Sequence, residues 1–182
     1  MGIPILLTFL RIILIPVFIL LFYLPFRGSH VLAAIIFIFA AMTDWLDGYL
    51  ARSLGQVSKL GTFLDPVADK LIVVTALVLL VGDRVLPYLA IPAIVIICRE
   101  IMVSALREWM AEIGKRTRIA VTRIGKIKTT VQMLALILLL LYKPGAWFAL
   151  ALSGYLLLYL AALLTLWSMS LYLKAAWHDL SS

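Results

Sequence analysis

The chain has 182 residues, of which 65% are hydrophobic and only 14% are charged, and its net charge is +7. A soluble domain averages roughly a quarter charged residues, so this composition excludes a soluble fold. It predicts instead an all-α integral membrane protein that forms one transmembrane domain over residues 1–182. The basic excess is explained by cytoplasmic loops and by anionic lipid or phosphate ligands, and no nucleic-acid partner is expected.

Six apolar stretches follow one another along the chain, and each is close to the roughly 20 residues that a helix needs to cross a bilayer core. They cover residues 3–25, 31–52, 61–82, 86–110, 126–142 and 146–173. The sequence therefore predicts a bundle of six transmembrane helices. The single cysteine, Cys98, excludes disulfides and thiolate metal sites by count, and we expect it to be a small buried core residue.

Basic residues between the stretches orient the predicted bundle. With the N-terminus in the cytoplasm, nine basic residues lie on the cytoplasmic side: Arg52, Lys59, Lys115, Arg116, Arg118, Arg123, Lys126, Lys128 and Lys174. The opposite side holds three, namely Arg27, Arg84 and Lys143. Because cytoplasmic loops carry the excess of Lys and Arg in membrane proteins, this asymmetry predicts that the N-terminus and the C-terminus are both cytoplasmic.

Four of the nine acidic residues lie at the predicted cytoplasmic ends of the second and third helices. Asp44 and Asp47 are three residues apart, and Asp65 and Asp69 are four apart, so each pair shares one face of a helix. Carboxylates this close together in a membrane repel each other and are costly to desolvate. A hard divalent cation removes that cost, because Mg²⁺ binds through carboxylates and substrate phosphates. Four carboxylates are enough for two ions, the usual arrangement for displacement at phosphorus.

Small residues and one arginine accompany these acids. Gly48 allows another backbone or a ligand to approach closely, and Gly61 precedes Asp65 by one turn. Arg52 supplies a planar fork of donors that suits a diphosphate. Together these residues indicate chemistry on a phosphate-bearing lipid at the membrane surface.

Two other interpretations of the acids remain open at this point. In the first, the acids only pair with bases at the helix ends, for which Arg52, Lys59 and Lys70 are close enough in the sequence. In the second, they form the pathway of a cation transporter, because acids inside membranes often mark such pathways. A transporter would more typically carry its acids near the middle of the bilayer on several helices.

The acids and small residues form one continuous pattern: Asp44-x2-Asp47-Gly48-x2-Ala51-Arg52-x8-Gly61-x3-Asp65-x3-Asp69. This pattern resembles the complete signature of the CDP-alcohol phosphatidyltransferases, with eight fixed positions over 26 residues. The segments "FLDPVADK", "CREIMVSALREWMAEIGKR", "GKIKTTVQM" and "LTLWSM" resemble one bacterial branch of that family. The similarity extends over nearly the whole chain.

The resemblance implies the CDP-alcohol phosphotransferase fold, with six transmembrane helices in one catalytic domain. It also implies an enzyme that transfers the phosphatidyl group from CDP-diacylglycerol to sn-glycerol 3-phosphate and releases CMP. Another acceptor alcohol, such as inositol phosphate or serine, is the alternative within the family. The same resemblance implies a homodimer. We expect it in the bacterial cytoplasmic membrane, and the distribution of basic residues predicts that the active site faces the cytoplasm.

The resemblance further assigns roles to individual residues. Asp44, Asp47 and Asp65 match metal ligands for Mg²⁺ or Mn²⁺. Asp69 matches a residue that contacts the second metal and acts as general base on the acceptor hydroxyl. The positions that match contacts with CDP-diacylglycerol are Thr8, Gly48, Arg52 and Ser58.

An acceptor such as glycerol 3-phosphate has a dianionic phosphate group, so its binding site needs cationic side chains. The candidates that we predict for phosphate recognition are Arg107, Arg118, Lys126 and Lys128. The fourth stretch also carries Arg99 and Glu100. We expect Glu100 to neutralise an arginine, because a charge inside a membrane needs a partner.

Overall fold

The computed structural model describes residues 3–26, 28–54, 59–83, 86–112, 123–142 and 148–180. Within these ranges, the structure describes only the backbone of residues 3–4, 44–45, 47–54, 59, 62, 107, 111, 123–126, 171–172 and 174–180. The described residues form no strand and six helices: α1 (Ile3–Tyr23), α2 (Ser29–Leu54), α3 (Lys59–Gly82), α4 (Ala90–Glu112), α5 (Arg123–Leu141) and α6 (Phe148–Leu180). The predicted all-α class and the six helical stretches are confirmed.

The start of α4 differs from the prediction. The helix begins at Ala90 rather than at residue 86, because Tyr88 adopts a φ of 63°, which lies in the left-handed region and cannot continue into a right-handed helix. Two tyrosines on α6 stabilise this turn. The Tyr155 hydroxyl donates to the Pro87 carbonyl at 2.5 Å, and the Tyr159 hydroxyl donates to the Tyr88 carbonyl at 2.9 Å.

Among the described residues, two helices are long and apolar enough to cross a membrane, over Ile5–Tyr23 in α1 and Phe148–Ser170 in α6. Shorter apolar segments cover Ser29–Thr43 in α2 and Ile127–Leu141 in α5. The remaining helices, α3 and α4, carry several charged residues within their length, and these charges lower their hydropathy.

Cys98 is exposed on α4, so the prediction that it is a buried core residue was wrong. It shares a face with Ile94 and Ile101, four residues before it and three after it, and both are also exposed. The physical reason is that α4 is apolar on several faces around this position. Hydrophobic periodicity therefore does not distinguish the outer face from the core.

The helices fall into two compact units, which are described separately. Unit 1 consists of Met1–Val85 and Leu140–Ala146 and holds α1, α2 and α3. Unit 2 consists of Leu86–Leu139 and Trp147–Ser182 and holds α4, most of α5 and α6. The assignment of residues 1–182 to a single domain stays a prediction.

In unit 1, α1 packs against both α2 and α3, and α2 also contacts α3. The face of α2 that lies in this core is lined by small residues, because Ala33, Ala34 and Ala40 are fully buried. Small side chains allow helix backbones to approach closely. Phe37 completes that face, and its ring packs against the ring of Phe18 on α1 with 6.1 Å between centroids.

In unit 2, α4 packs against α6. The buried face of α4 includes Ile96, Val103 and Met110, which recur every seven residues. The contact between α5 and α6 requires a glycine, since a Cβ added to Gly154 would lie 2.8 Å from Leu139 Cγ. The glycine contact is an example of a small residue that allows two helices to approach closely.

Candidate active site

Two side chains of α1 contact the two carboxylates of α3. The Thr8 hydroxyl donates to Asp65 Oδ1 at 2.5 Å, and Arg11 Nη1 donates to Asp69 Oδ1 in an ion pair. The donors are three residues apart on α1 and the acceptors are four apart on α3, so each pair spans one helical turn. Because both contacts advance toward higher residue numbers, α1 and α3 run parallel where they meet.

Burial differs sharply across these contacts. Thr8 and Arg11 are fully buried, whereas the Asp69 side chain is 41% exposed and Asp65 is half-buried. The donors therefore lie on the inner side of the α1–α3 contact, and the carboxylates lie on its accessible side. A ligand approaching from outside this contact meets the carboxylates.

Arg11 is a member of this site to which the sequence reasoning gave no role. A buried guanidinium is costly unless a carboxylate pairs with it, and Asp69 provides that carboxylate. The available signal was the position of Arg11, which is the one charged residue in the 21-residue helix α1. A charge inside an apolar helix is itself an indication of function.

The predicted ligands Asp44 and Asp47 lie in α2, which is helical through both positions, so they are one turn apart on that helix as expected. Their side chains are outside the described residues, as are those of Gly48 and Arg52. Ser58 lies outside the described ranges altogether. The structure thus brings Thr8, Asp65 and Asp69 together. The placement of the α2 acids beside them stays a prediction.

A second cluster of charges lies in unit 2. Glu100 Oε1 accepts from Arg99 Nη1 at 2.7 Å and from Lys128 Nζ at 2.9 Å. The expectation that Glu100 neutralises an arginine is confirmed, and Lys128 on α5 is a second partner. Arg99 Nη2 also donates to Ser168 Oγ on α6 at 3.3 Å, so the cluster connects three helices. Two cations share one carboxylate, which leaves a positive excess among these residues.

Of the four side chains predicted to bind the acceptor phosphate, the structure describes one, that of Lys128. Lys128 is buried, with an exposed fraction of 1%, and its ammonium is bound to Glu100. Arg107 lies in α4 and Lys126 lies in α5, but their side chains are outside the described part, and Arg118 is outside it entirely. In the same cluster, Arg99 Nε is buried and has no hydrogen-bond partner among the described residues.

The donor chemistry of the α3 acids fits a hard divalent cation. No group of three or more His, Cys, Asp or Glu side chains that could hold a metal is found among the described residues, which exclude the side chains of Asp44 and Asp47. Asp65 and Asp69 nevertheless present carboxylate oxygens one turn apart, and these are the ligands that Mg²⁺ and Mn²⁺ prefer. Both acids also accept a hydrogen bond from a buried donor, and hydrogen-bonded carboxylates are common among metal ligands.

Asp65 and Asp69 lie in the part of the chain that matches a known protein family. The model of the CDP-alcohol phosphatidyltransferases matches residues 1–167. The chain therefore belongs to the CDP-alcohol phosphatidyltransferase family, and the resemblance inferred from the aspartate pattern is confirmed.

Curated relatives share more than half of their residues with this chain. A protein of Yersinia enterocolitica is 53% identical over 99% of this chain and 97% of its own length. A protein of Pectobacterium atrosepticum is 54% identical over 98% of this chain and 97% of its own length. A protein of Salmonella paratyphi A is 53% identical with the same coverage. Each is named CDP-diacylglycerol–glycerol-3-phosphate 3-phosphatidyltransferase.

Proposed function

We propose that the chain transfers the phosphatidyl group of CDP-diacylglycerol to sn-glycerol 3-phosphate, giving phosphatidylglycerophosphate and CMP. It is then a phosphatidylglycerophosphate synthase of phosphatidylglycerol and cardiolipin biosynthesis. The observation that carries this proposal is the identity of 53% and 54% with relatives of that name over nearly the full length of both chains. The contacts of Asp65 and Asp69 with α1 support it, because they give these acids the surroundings of functional carboxylates.

The proposed cofactor is Mg²⁺ or Mn²⁺, as two ions that Asp44, Asp47, Asp65 and Asp69 would hold. When bound, the cations neutralise the diphosphate and the charge that develops on the CMP leaving group. The contribution of the chain is to supply the oxygen ligands and to fix their positions. Fixed positions are valuable because aligning two substrates removes much of the entropic barrier to their reaction.

Asp69 is the proposed general base. It accepts the proton of the acceptor hydroxyl, the acceptor oxygen bonds to the phosphatidyl phosphorus, and the bond from that phosphorus to the CMP phosphate breaks. A base must be within hydrogen-bond reach of the proton that it removes. The exposed fraction of the Asp69 side chain, 41%, is consistent with such access, although Arg11 binds one carboxylate oxygen.

Nucleotide contacts are proposed for Thr8, Gly48, Arg52 and Ser58. For Thr8, the hydrogen bond to Asp65 bears on the form of the proposed contact. A hydroxyl has one proton to donate, and the Thr8 proton is given to Asp65. A nucleotide group that contacts this hydroxyl would therefore have to be a donor.

Recognition of the acceptor phosphate is proposed for Arg107, Arg118, Lys126 and Lys128. The positive excess around Glu100 supports this proposal, because a dianion would balance it. Lys128 is already bound to Glu100, so a phosphate that reaches it would share the ammonium with that carboxylate.

We also propose that all six helices cross the bacterial cytoplasmic membrane, with the site facing the cytoplasm, and that the enzyme is a homodimer. Large apolar side chains such as Phe63, Ile94 and Leu163 are each at least 60% exposed, which suits contact with lipid. A green fluorescent protein fused to the C-terminus should fluoresce if that end is cytoplasmic. Light scattering of the protein in detergent should give the mass of two chains, and the mass of one would contradict the dimer.

A single assay tests the activity. Purified protein in detergent is incubated with CDP-diacylglycerol, with Mg²⁺ or Mn²⁺, and with glycerol 3-phosphate, inositol phosphate or serine in separate reactions. We expect metal-dependent CMP release and a phosphatidylglycerophosphate product only with glycerol 3-phosphate. CMP release only with another alcohol would show that glycerol 3-phosphate is the wrong acceptor. No CMP release with any acceptor would overturn the transferase assignment in favour of another class, such as transporters.

A further inference from the structure

We propose that α1 orients the reacting carboxylates of α3, with Thr8 as a positioning residue for Asp65 and Arg11 as a positioning residue for Asp69. The inference rests on the proposed function, because it presumes that these two aspartates act in the reaction. It gives Thr8 a role toward a carboxylate, in addition to the proposed nucleotide contact. It gives Arg11 a role where the sequence pattern gave none.

The geometry of the two contacts carries this inference. Each donor binds one oxygen of its carboxylate, Oδ1 in both cases. The two contacts repeat after one turn of each helix, so one parallel helix pair serves both acids. Because Thr8 and Arg11 are fully buried, both donors reach the carboxylates from the inner side. Each carboxylate keeps part of its surface accessible, since the Asp69 side chain is 41% exposed and Asp65 is half-buried.

A carboxylate that accepts a hydrogen bond from a buried donor rotates less freely than an unsupported carboxylate. The terminal torsion of an aspartate is broad, so an unsupported carboxylate samples many orientations. A functional group must be held within about 0.5 Å and 10–20° of its productive geometry by the groups behind it. A buried donor on one oxygen restricts that rotation. Ligating carboxylates in metal sites are hydrogen-bonded in this way, and loss of the supporting partner typically costs about 10–100-fold in metal affinity or activity.

The competing explanation is that these contacts only attach α1 to α3. Thr8 separates the two explanations, because it is fully buried and can be altered in two ways. Thr8→Val keeps the shape and removes the donor, whereas Thr8→Ser keeps the donor and removes a methyl group. Positioning requires the hydroxyl, so Val should be the damaging change. Simple packing requires the methyl group, so Ser should then be the damaging change.

The test measures Mn²⁺ binding to the purified protein by electron paramagnetic resonance, together with kcat, both KM values and the unfolding temperature. We expect Thr8→Val to weaken Mn²⁺ binding and to lower kcat by about 10–100-fold, and we expect a smaller loss of both in Thr8→Ser, which keeps the donor. Thr165→Val is the matched control, since Thr165 is an equally buried threonine in unit 2, and it should leave Mn²⁺ binding unchanged. Unchanged Mn²⁺ binding and kcat in Thr8→Val, or equal damage in Thr8→Ser, would overturn the role of Thr8.

Arg11 is tested with Arg11→Lys and Arg11→Met. Lys keeps a positive donor and should retain part of the Mn²⁺ binding, whereas Met should lose about 10–100-fold. A Met variant that binds Mn²⁺ normally would remove Arg11 from the proposal. Should Arg11→Met fail to fold, Arg11→Lys decides: its kcat should fall while its donor KM and unfolding temperature change little, and unchanged kcat counts against the role. Mn²⁺ binding does not depend on the acceptor, so failure of this inference is distinguishable from failure of the proposed function.

Discussion

Each of the two units contains a cluster of charged side chains, and the net charges of the two clusters have opposite signs among the described residues. In unit 1, two carboxylates of α3 are bound by one buried cation, Arg11, and by the hydroxyl of Thr8. In unit 2, two cations, Arg99 and Lys128, share the single carboxylate of Glu100. One cluster has an excess of negative charge among its described members, and the other has an excess of positive charge. Each is therefore suited to a ligand of the other sign, a divalent cation in unit 1 and a phosphate in unit 2.

The clusters also differ in which member is accessible. The cations are the buried members in both, because Arg11 is 0% and Lys128 is 1% exposed, while the carboxylates Asp69 and Glu100 are 41% and 22% exposed. In unit 1, the accessible member is the group that we propose to react. In unit 2, the group that we propose to bind substrate, Lys128, is behind a carboxylate. Accessibility thus supports the proposed role of Asp69 as general base more directly than the proposed role of Lys128 in phosphate recognition.

The largest expected effect is the loss of the accessible carboxylate in unit 1. Asp69→Asn should abolish measurable turnover, since general base catalysis alone contributes about 10²–10⁴-fold, while the binding of CDP-diacylglycerol stays largely intact. The measurements are CMP release and equilibrium binding of the donor. Asp83→Asn is the control and should keep normal turnover, because Asp83 follows the last residue of α3, at the opposite end of the helix from the site. Near-normal activity of Asp69→Asn would remove the base assignment.

The next prediction compares two substitutions that each remove one counter-charge among the described residues, Glu100 in unit 2 and Arg11 in unit 1. Glu100→Gln leaves two cations, one of them fully buried, without their carboxylate, and this should cost about 3–5 kcal/mol in the free energy of unfolding. Arg11→Met leaves Asp69, which is partly exposed and can be hydrated, so about 1–3 kcal/mol is expected. The free energies of unfolding of both variants can be measured by titrating the protein with sodium dodecyl sulfate in mixed micelles. A larger loss in Arg11→Met than in Glu100→Gln would show that burial of the cation does not control these costs.

Much of this architecture was predictable from local properties of the sequence. The lengths of the apolar stretches gave six helices, and helical spacing alone placed Asp65 and Asp69 on one face. The side of α4 that carries Cys98 was not predictable, because a helix that is apolar on several sides carries no directional signal.

Contacts between helices were beyond sequence reasoning for a different reason. Arg11 and Asp69 are 58 residues apart, and Glu100 and Lys128 are 28 apart. Spacing rules act within one helix, so they identify charges that need partners without saying which partners they find. The expectation for Glu100 illustrates this limit, since the need for a cation was correct and the lysine partner was missed.

A smaller effect tests whether Lys128 binds substrate from its buried position. Lys128→Met removes the charge and keeps much of the apolar stem, so the acceptor KM should rise by about 10-fold or more, the loss expected for a hydrogen bond to a charged group. The donor KM should change little. Steady-state kinetics with each substrate varied in turn gives both values. A loss of stability with both KM values unchanged would make Lys128 a structural partner of Glu100 only.

The smallest expected effect concerns the attachment of the basic cluster to α6. Ser168 and Ser170 each donate to the carbonyl three residues earlier, at 2.9 Å and 2.8 Å, but only Ser168 also accepts from Arg99. Ser168→Ala should therefore lower the free energy of unfolding by about 1 kcal/mol, the net value of an ordinary hydrogen bond, because the contact with Arg99 is long at 3.3 Å. Ser170→Ala, which removes a similar backbone bond on an exposed face, should change it by less. Equal effects of the two substitutions would mean that the contact between Ser168 and Arg99 does not stabilise unit 2.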